Sequence, residues 1–284
     1  MQNNEWDVII LGAGAAGLSA ALVLGRARRR VLVVDDGEPR NRFAPHMHGV
    51  LGRDGASPAD LLAEGRREVE RYGVVLRPGT IEQARSEGGG VVVGGMRARA
   101  LLVATGARDV LPDIPGLAER WGTDAVACPY CDGYESSNSA IGVISGVHQA
   151  QLLTQWSSRV TLFTLGADVD RSSLQGVTVD DRRVHRIVAP LAVDVGDELV
   201  PLDRIFVATA FSPRDAVLRS LRAERRELRG VDLAVVDAQG ATSVPRVWAA
   251  GNVVDPSALV PIAMGQGVAA ATAINAALTF DTPR

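Results

Sequence analysis

Cys128 and Cys131 are the only cysteines among 284 residues, and two residues separate them in the stretch ACPYCDGYE. Thiols at this spacing can form a structural clip, half of a metal site, or a redox pair. A zinc site needs about four ligands, and the four histidines of the chain do not supply a familiar spacing. A disulfide across so short a segment constrains the unfolded chain very little. A lone Cys-x-x-Cys in an intracellular protein is more often catalytic than structural, so the redox reading is favoured. The pair follows an apolar segment and precedes an expected helix, and a helix N-terminus lowers a thiol pKa. Pro129 stiffens the loop, and Asp132 follows directly, as a helix cap, a proton-handling acid, or both.

A redox pair needs an electron partner, and the N-terminal segment WDVIILGAGAAGLSAALVL reads as strand, tight turn and helix. Gly12, Gly14 and Gly17 fill a G-x-G-x-x-G pattern, with Ala15 at the turn. In such a turn the first glycine allows the bend, the second lets a pyrophosphate approach bare backbone, and the third seats the helix on the strand. The phosphates rest on the helix N-terminus. A second strand, RRVLVVDD, ends in Asp35 and Asp36, where an acid about 20 residues on holds a ribose hydroxyl. Asp35 is the better candidate because it closes the apolar run; Asp36 is the alternative.

Composition sets outer limits. The chain is 46% hydrophobic and 22% charged with a net charge of −3, which points away from nucleic acid or an anionic membrane surface as partner. All of the 30 basic residues are arginine, so no lysine chemistry is available. The N-terminus runs from apolar to basic, the reverse of a signal peptide. The apolar runs carry glycines and read as shorter than the roughly 20 residues of a span. A cytoplasmic protein with no membrane segment is expected.

Two later segments bear on which dinucleotide binds. ARALLVATGARDVLPDIPG is a strand running into Thr105 and Gly106, and VPRVWAAGNVVDPSALVPIAMGQGVAAATAINAAL runs from a strand through Gly251 and Asn252 to a helix from about Met264. Both resemble signatures of two-dinucleotide flavoproteins. Taken with the cysteine pair between them, the chain resembles the low-molecular-weight thioredoxin reductases over essentially its whole length. That resemblance implies an α/β fold of two Rossmann-like domains and FAD as cofactor. The FAD domain would comprise residues 1–115 and 240–284, with a second, NADPH-domain-like insert at 116–239 carrying the cysteines. It implies flavin contacts at Gly12, Gly14, Ala15, Gly17, Asp35, Asp36, Arg40, Thr105, Gly106, Gly251, Asn252 and Met264, and a homodimer. It sets Cys131 against the flavin, makes Cys128 the thiol that meets the substrate, and gives Asp132 the proton. Asn252 stands where the family usually has Asp. His46 and His48, in NRFAPHMHGVLGRDG, fall in the loop that runs beside the flavin in the family; they either assist thiol deprotonation or serve the loop's structure.

The resemblance breaks in the insert. SAIGVISGVHQAQLLTQWSSRVTLFTL reads as strand, turn, helix and strand, but Ser145, Val147 and Ala150 stand at the glycine positions, leaving Gly146. The arginines that grip a 2′-phosphate in the family are missing until Arg171, and Asp168 and Asp170 would repel one. One branch is similar in this respect: the FAD-dependent dithiol oxidases of gliotoxin and holomycin biosynthesis. They close a disulfide in a small natural product and return the electrons to molecular oxygen, giving hydrogen peroxide. Asp132 matches ordinary thioredoxin reductases, whereas some members of the branch carry His there. The expected function is dithiol oxidation of a small molecule. A disulfide reductase fed by NADPH or a protein donor, and a flavin-bound redox sensor, stand as alternatives.

Overall fold

The computed structural model describes residues 5–228 and 230–280. The chain forms two compact units, one of Met1–Arg42, Pro58–Arg108 and Phe211–Arg284, the other of Phe43–Ser57 and Asp109–Ala210. Each is α/β; the sheet of the first is mixed, with an antiparallel edge, and that of the second is parallel.

In the first unit the sheet runs in the order Val75–Pro78, Val31–Asp35, Glu5–Leu11, Met96–Val103, Gly90–Val93, Ala84–Glu87. Val247–Ala249 also pairs with Met96–Val103, in parallel. Val8, Ile9, Ile10, Leu32, Leu101 and Leu102 are wholly buried. Their strands read as unbroken apolar runs because both faces of a parallel sheet are covered. Ala84–Glu87 and Gly90–Val93 are the two antiparallel strands on the edge, joined through Gly88 and Gly89. The helix after Ser57 spans Pro58–Glu70, with Pro58 at its start.

Three boundaries differ from those expected. The chain returns to the first unit at Phe211 rather than near residue 240. The reason is packing: Val217, Leu218, Ala223 and Ala234 are buried in one cluster with Ile9, Leu11 and Leu101. The outward crossing falls at residue 108 rather than 115. Residues 43–57 belong with the cysteine-bearing unit, where Met47 N–H donates to Ala56 O and His48 meets Glu135.

The last helix, Val260–Phe280, starts a turn ahead of Met264 and is, at 21 residues, long and apolar enough to cross a membrane, contrary to the reading of shorter runs. Ala263, Ala270, Ala271, Ile274 and Leu278 are buried in the first unit's core with Leu18 and Leu24, whereas Ile262, Val268 and Phe280 are exposed.

The second unit has a five-stranded sheet in the order Val177–Asp180, Arg159–Phe163, Ala140–Ile144, Arg204–Val207, Ala125–Val126, parallel throughout. A three-stranded antiparallel sheet, Arg186–Val188, Ala192–Asp194 and Leu199–Pro201, completes it.

Candidate active site

In open α/β sheets ligands bind outside the carboxyl ends of the strands, and four expected cofactor turns lie there in the first unit. Leu11 is in register with both Val34 and Val103, and Val103 with Ala249. The Gly12 turn, the acids Asp35 and Asp36, Thr105–Gly106 and Gly251–Asn252 therefore follow the ends of four adjacent strands. Gly12 has φ +100°, and a Cβ there would strike the Ala104 carbonyl, so only glycine serves. Gly14 is different. It precedes the helix Ala15–Arg26, gives no side-chain cap, and a Cβ on it would meet nothing within 4 Å. Its bareness answers no packing need of the protein. A pyrophosphate against the free N–H groups of the first helical turn does account for it, and the residues present fit a dinucleotide.

The remaining contacts show how the turns are held. Asp35 Oδ1 accepts Ala13 N–H at 2.8 Å, and Oδ2 lies 2.9 Å from Arg66 and 3.2 Å from Gly37 N. Its carboxylate thus braces the glycine turn. Asp36 is ion-paired with Arg214, whose own carbonyl accepts the Thr105 hydroxyl at 2.6 Å. Arg40 donates to Pro256 O and lies over the Phe211 ring. Gly251 N–H donates to Gln266 Oε1 at 2.9 Å. Asn252 spends its amide N–H groups on Asp255 O and Ala258 O, leaving its carbonyl oxygen as the polar group for a ligand. Met264 is half-buried on the last helix. Arg66, Arg214 and Gln266 were not singled out in the sequence; a lone arginine or glutamine far along the chain carries no local pattern.

In the second unit the cysteines follow the edge strand Ala125–Val126. Cys128 and Cys131 form a disulfide, and Cys128 begins a single helical turn, Pro129–Asp132, whose Cys131 and Asp132 N–H groups donate to Cys128 O. The expected helix is only this turn. Ser136 Oγ donates to Asp132 O at 2.7 Å, and Trp156 meets Tyr130 edge to face at 6.3 Å, so the turn is held from both ends.

A cleft of about 360 Å³ opens beside Cys131, lined also by His48, Asp54, Tyr130, Tyr134 and Glu135. His48 Nδ1 is 3.3 Å from Asp54, its Nε2 is 3.4 Å from Glu135, and its ring meets that of His46 at 5.2 Å. Both ring nitrogens of His48 therefore have carboxylate partners. Burial pushes the Asp132 carboxyl above its ordinary range, against the pull of Arg204, His46 and His48. Hydrogen bonds from Gly49 N–H and His48 hold Asp54 below its ordinary range. Cys131, Asp132, His46 and His48 thus form one cluster. Asp54 and Glu135 are its unexpected members.

The expected second nucleotide turn, after the strand Ala140–Ile144, is built around Ser145 and Gly146. Ser145 has φ +60° and Gly146 precedes the short helix Val147–Leu153. The Gln149 side chain folds back over Gly146, so close that a Cβ on Gly146 would collide with its Oε1. Arg171 is ion-paired with Asp181, and Arg182 with Asp180, Asp197 and Glu198. Asp170 caps the turn Arg171–Ser173 through Ser172 N–H.

Residues 6–267 match the model of the pyridine nucleotide-disulphide oxidoreductases, and the chain belongs to that family. It is an FAD-dependent thiol/disulfide oxidoreductase of the thioredoxin-reductase-like kind. The crystal structure of HlmI is 43% identical, with a TM-score of 0.92 over 98% of this chain and 94% of that one. An oxidoreductase from Agrobacterium tumefaciens is 36% identical, with a TM-score of 0.90 over 98% of this chain and all of the other. The thioredoxin reductase tcpT of Claviceps purpurea is 36% identical over 58% of this chain and 57% of its own length. The match thus spans little more than half of that relative.

Proposed function

We propose that the enzyme oxidises a small-molecule dithiol to its disulfide, with molecular oxygen as the final electron acceptor. The second nucleotide turn carries this reading. A nicotinamide dinucleotide needs bare backbone for its pyrophosphate, and NADP adds a need for unengaged positive charge. Here Gln149 lies over Gly146, and Arg171 and Arg182 are paired with carboxylates of their own unit. The 43% identity to HlmI supports the same assignment, as does the likeness to the gliotoxin and holomycin branch. By likeness to the family, the working form is a homodimer.

The chemistry follows from the disulfide. A substrate thiolate attacks Cys128 Sγ, the Cys128–Cys131 bond breaks, and Cys131 leaves as thiolate. The second substrate thiolate attacks the substrate sulfur of the mixed disulfide, which forms the product disulfide and releases Cys128. Two electrons have then passed from the substrate dithiolate to the protein, which leaves both cysteines as thiolates; the two substrate protons were given up as the attacking thiolates formed. Asp132, whose burial favours its protonated form, takes and returns a proton at the departing Cys131 thiolate. FAD, when bound in the first unit, supplies the two-electron acceptor that returns the pair to the disulfide and reduces oxygen to hydrogen peroxide. The cleft beside Cys131 has room for a compact molecule; Tyr130 and Tyr134, exposed at 67% and 80%, share its wall with the polar side chains of His48, Asp54 and Glu135.

Peroxide yield tests the reading. With a model dithiol in air, one equivalent of hydrogen peroxide should form per disulfide, without NADPH. Disulfide formation with no peroxide would refute oxygen as acceptor.

A further inference from the structure

The nucleotide turn of the second unit is filled from within. Gln149 stands in the first turn of the helix Val147–Leu153, and its head group lies over Gly146, where a bound phosphate would rest. From there its Nε2 donates to Ala127 O at 2.5 Å and stands 3.5 Å from Val207 O. Its Oε1 is buried without a partner among the described residues. These contacts fix which way the amide faces: a flipped head group would set its oxygen against two carbonyl oxygens.

The acceptors give the contact its meaning. Ala127 O belongs to the peptide bond whose nitrogen is that of Cys128. The strand leading to it, Ala125–Val126, is two residues long; it pairs through Ala125 with Ile205 and Val126 with Phe206, and Ala125 also bridges Trp121. A strand this short leaves the path of the chain beyond Val126 weakly determined. Val207 ends the neighbouring strand, Arg204–Val207. One side chain therefore gathers the carboxyl ends of both strands at the entry to the cysteine turn.

We propose that Gln149 is a positioning residue for Cys128, and that the lost nucleotide turn has become the support of the exchange cysteine. The inference rests on the dithiol oxidase reading only for the role of Cys128 as the thiol attacked first. Gln149 touches neither sulfur and acts through the Ala127–Cys128 peptide.

The test compares Gln149→Ala with Gln149→Glu in the FAD-loaded enzyme. The readout is the anaerobic rate at which dithiothreitol reduces the Cys128–Cys131 disulfide, followed by alkylation and mass spectrometry. The glutamate variant still fills the turn, but its carboxylate cannot donate to Ala127 O. Protonation at lower pH restores a donor. Loss of one neutral hydrogen bond predicts a rate about fivefold below wild type for both variants at neutral pH. As the pH falls, the ratio to wild type at the same pH should rise toward one for Gln149→Glu and stay flat for Gln149→Ala. Wild-type rates in either variant, or no recovery of the glutamate variant, would overturn the proposal. If Gln149→Ala fails to fold, the pH response of Gln149→Glu decides alone. Neither oxygen nor NADPH enters this measurement, so its failure is distinct from that of the oxidase reading.

Discussion

Glu135 Oε1 lies 3.4 Å from His48 Nε2, joining the loop 43–57 to the segment that follows Cys131. The other nitrogen of His48 is 3.3 Å from Asp54, which also accepts Gly49 N–H at 2.9 Å. A carboxylate oxygen thus stands beside each ring nitrogen of His48. Its geometry suits holding the wall of the cleft.

His48→Phe should therefore act on binding more than on turnover. We expect KM for a dithiol to rise several-fold with kcat within about threefold of wild type. A proton carrier would instead lose about 10²-fold or more in kcat, and that result would return His48 to the acid–base machinery. Steady-state kinetics separates the two.

Asp132→Asn should lower turnover by about 10²–10⁴-fold without weakening the fold. Because burial raises the folded-state pKa of Asp132, the native state binds its proton more tightly than the unfolded state does. This group's contribution to stability accordingly falls as pH rises from the unfolded to the folded pKa, and stays reduced above it. The asparagine variant escapes that loss, so its thermal midpoint at neutral pH should equal or exceed that of wild type. A lower midpoint would mean that the ionised carboxylate is structurally supported.

The two cysteines should differ in order of reaction. When the reduced protein meets limiting iodoacetamide, peptide mass spectrometry should find Cys128 modified ahead of Cys131. Modification of Cys131 first would exchange their roles.

Gly14 and Gly12 should fail in different ways. Gly14→Val meets open space within the protein, so the chain should fold but bind FAD on the order of tenfold more weakly or worse, about 1.4 kcal/mol. Gly12→Ala meets both a left-handed φ of +100° and the Ala104 carbonyl, and should cost stability directly, about 1–3 kcal/mol from the backbone alone. Flavin absorbance per protein and thermal unfolding read the two effects. Full FAD occupancy in Gly14→Val would remove Gly14 from the phosphate site.

Gly12, Gly14 and the cysteine pair were legible in the sequence because their spacing is local and each position answers a local constraint. The strand ends bearing Thr105 and Gly251 were legible for the same reason. The unit boundaries were not. Residues 43–57 lie between two segments of the first unit in sequence, and only tertiary contacts, such as that of His48 with Glu135, assign them to the other. The return at Phe211 depends on Val217 and Leu218 packing with Ile9, which no window of sequence displays. Val147 and Ala150, at the glycine positions of the second turn, were the local sign on which the proposed loss of nucleotide binding rests. That the Gln149 side chain folds over Gly146 could not be read from the sequence, although a long amide beside a missing glycine was the available signal.

The central claim is that electrons enter from a dithiol and not from a nicotinamide. Anaerobic stopped-flow absorbance of the flavin tests it most directly. Mixing with a dithiol should bleach the flavin band, and mixing with NADPH should leave it oxidised on the same timescale. Rapid bleaching by NADPH would contradict the account and make the enzyme a reductase.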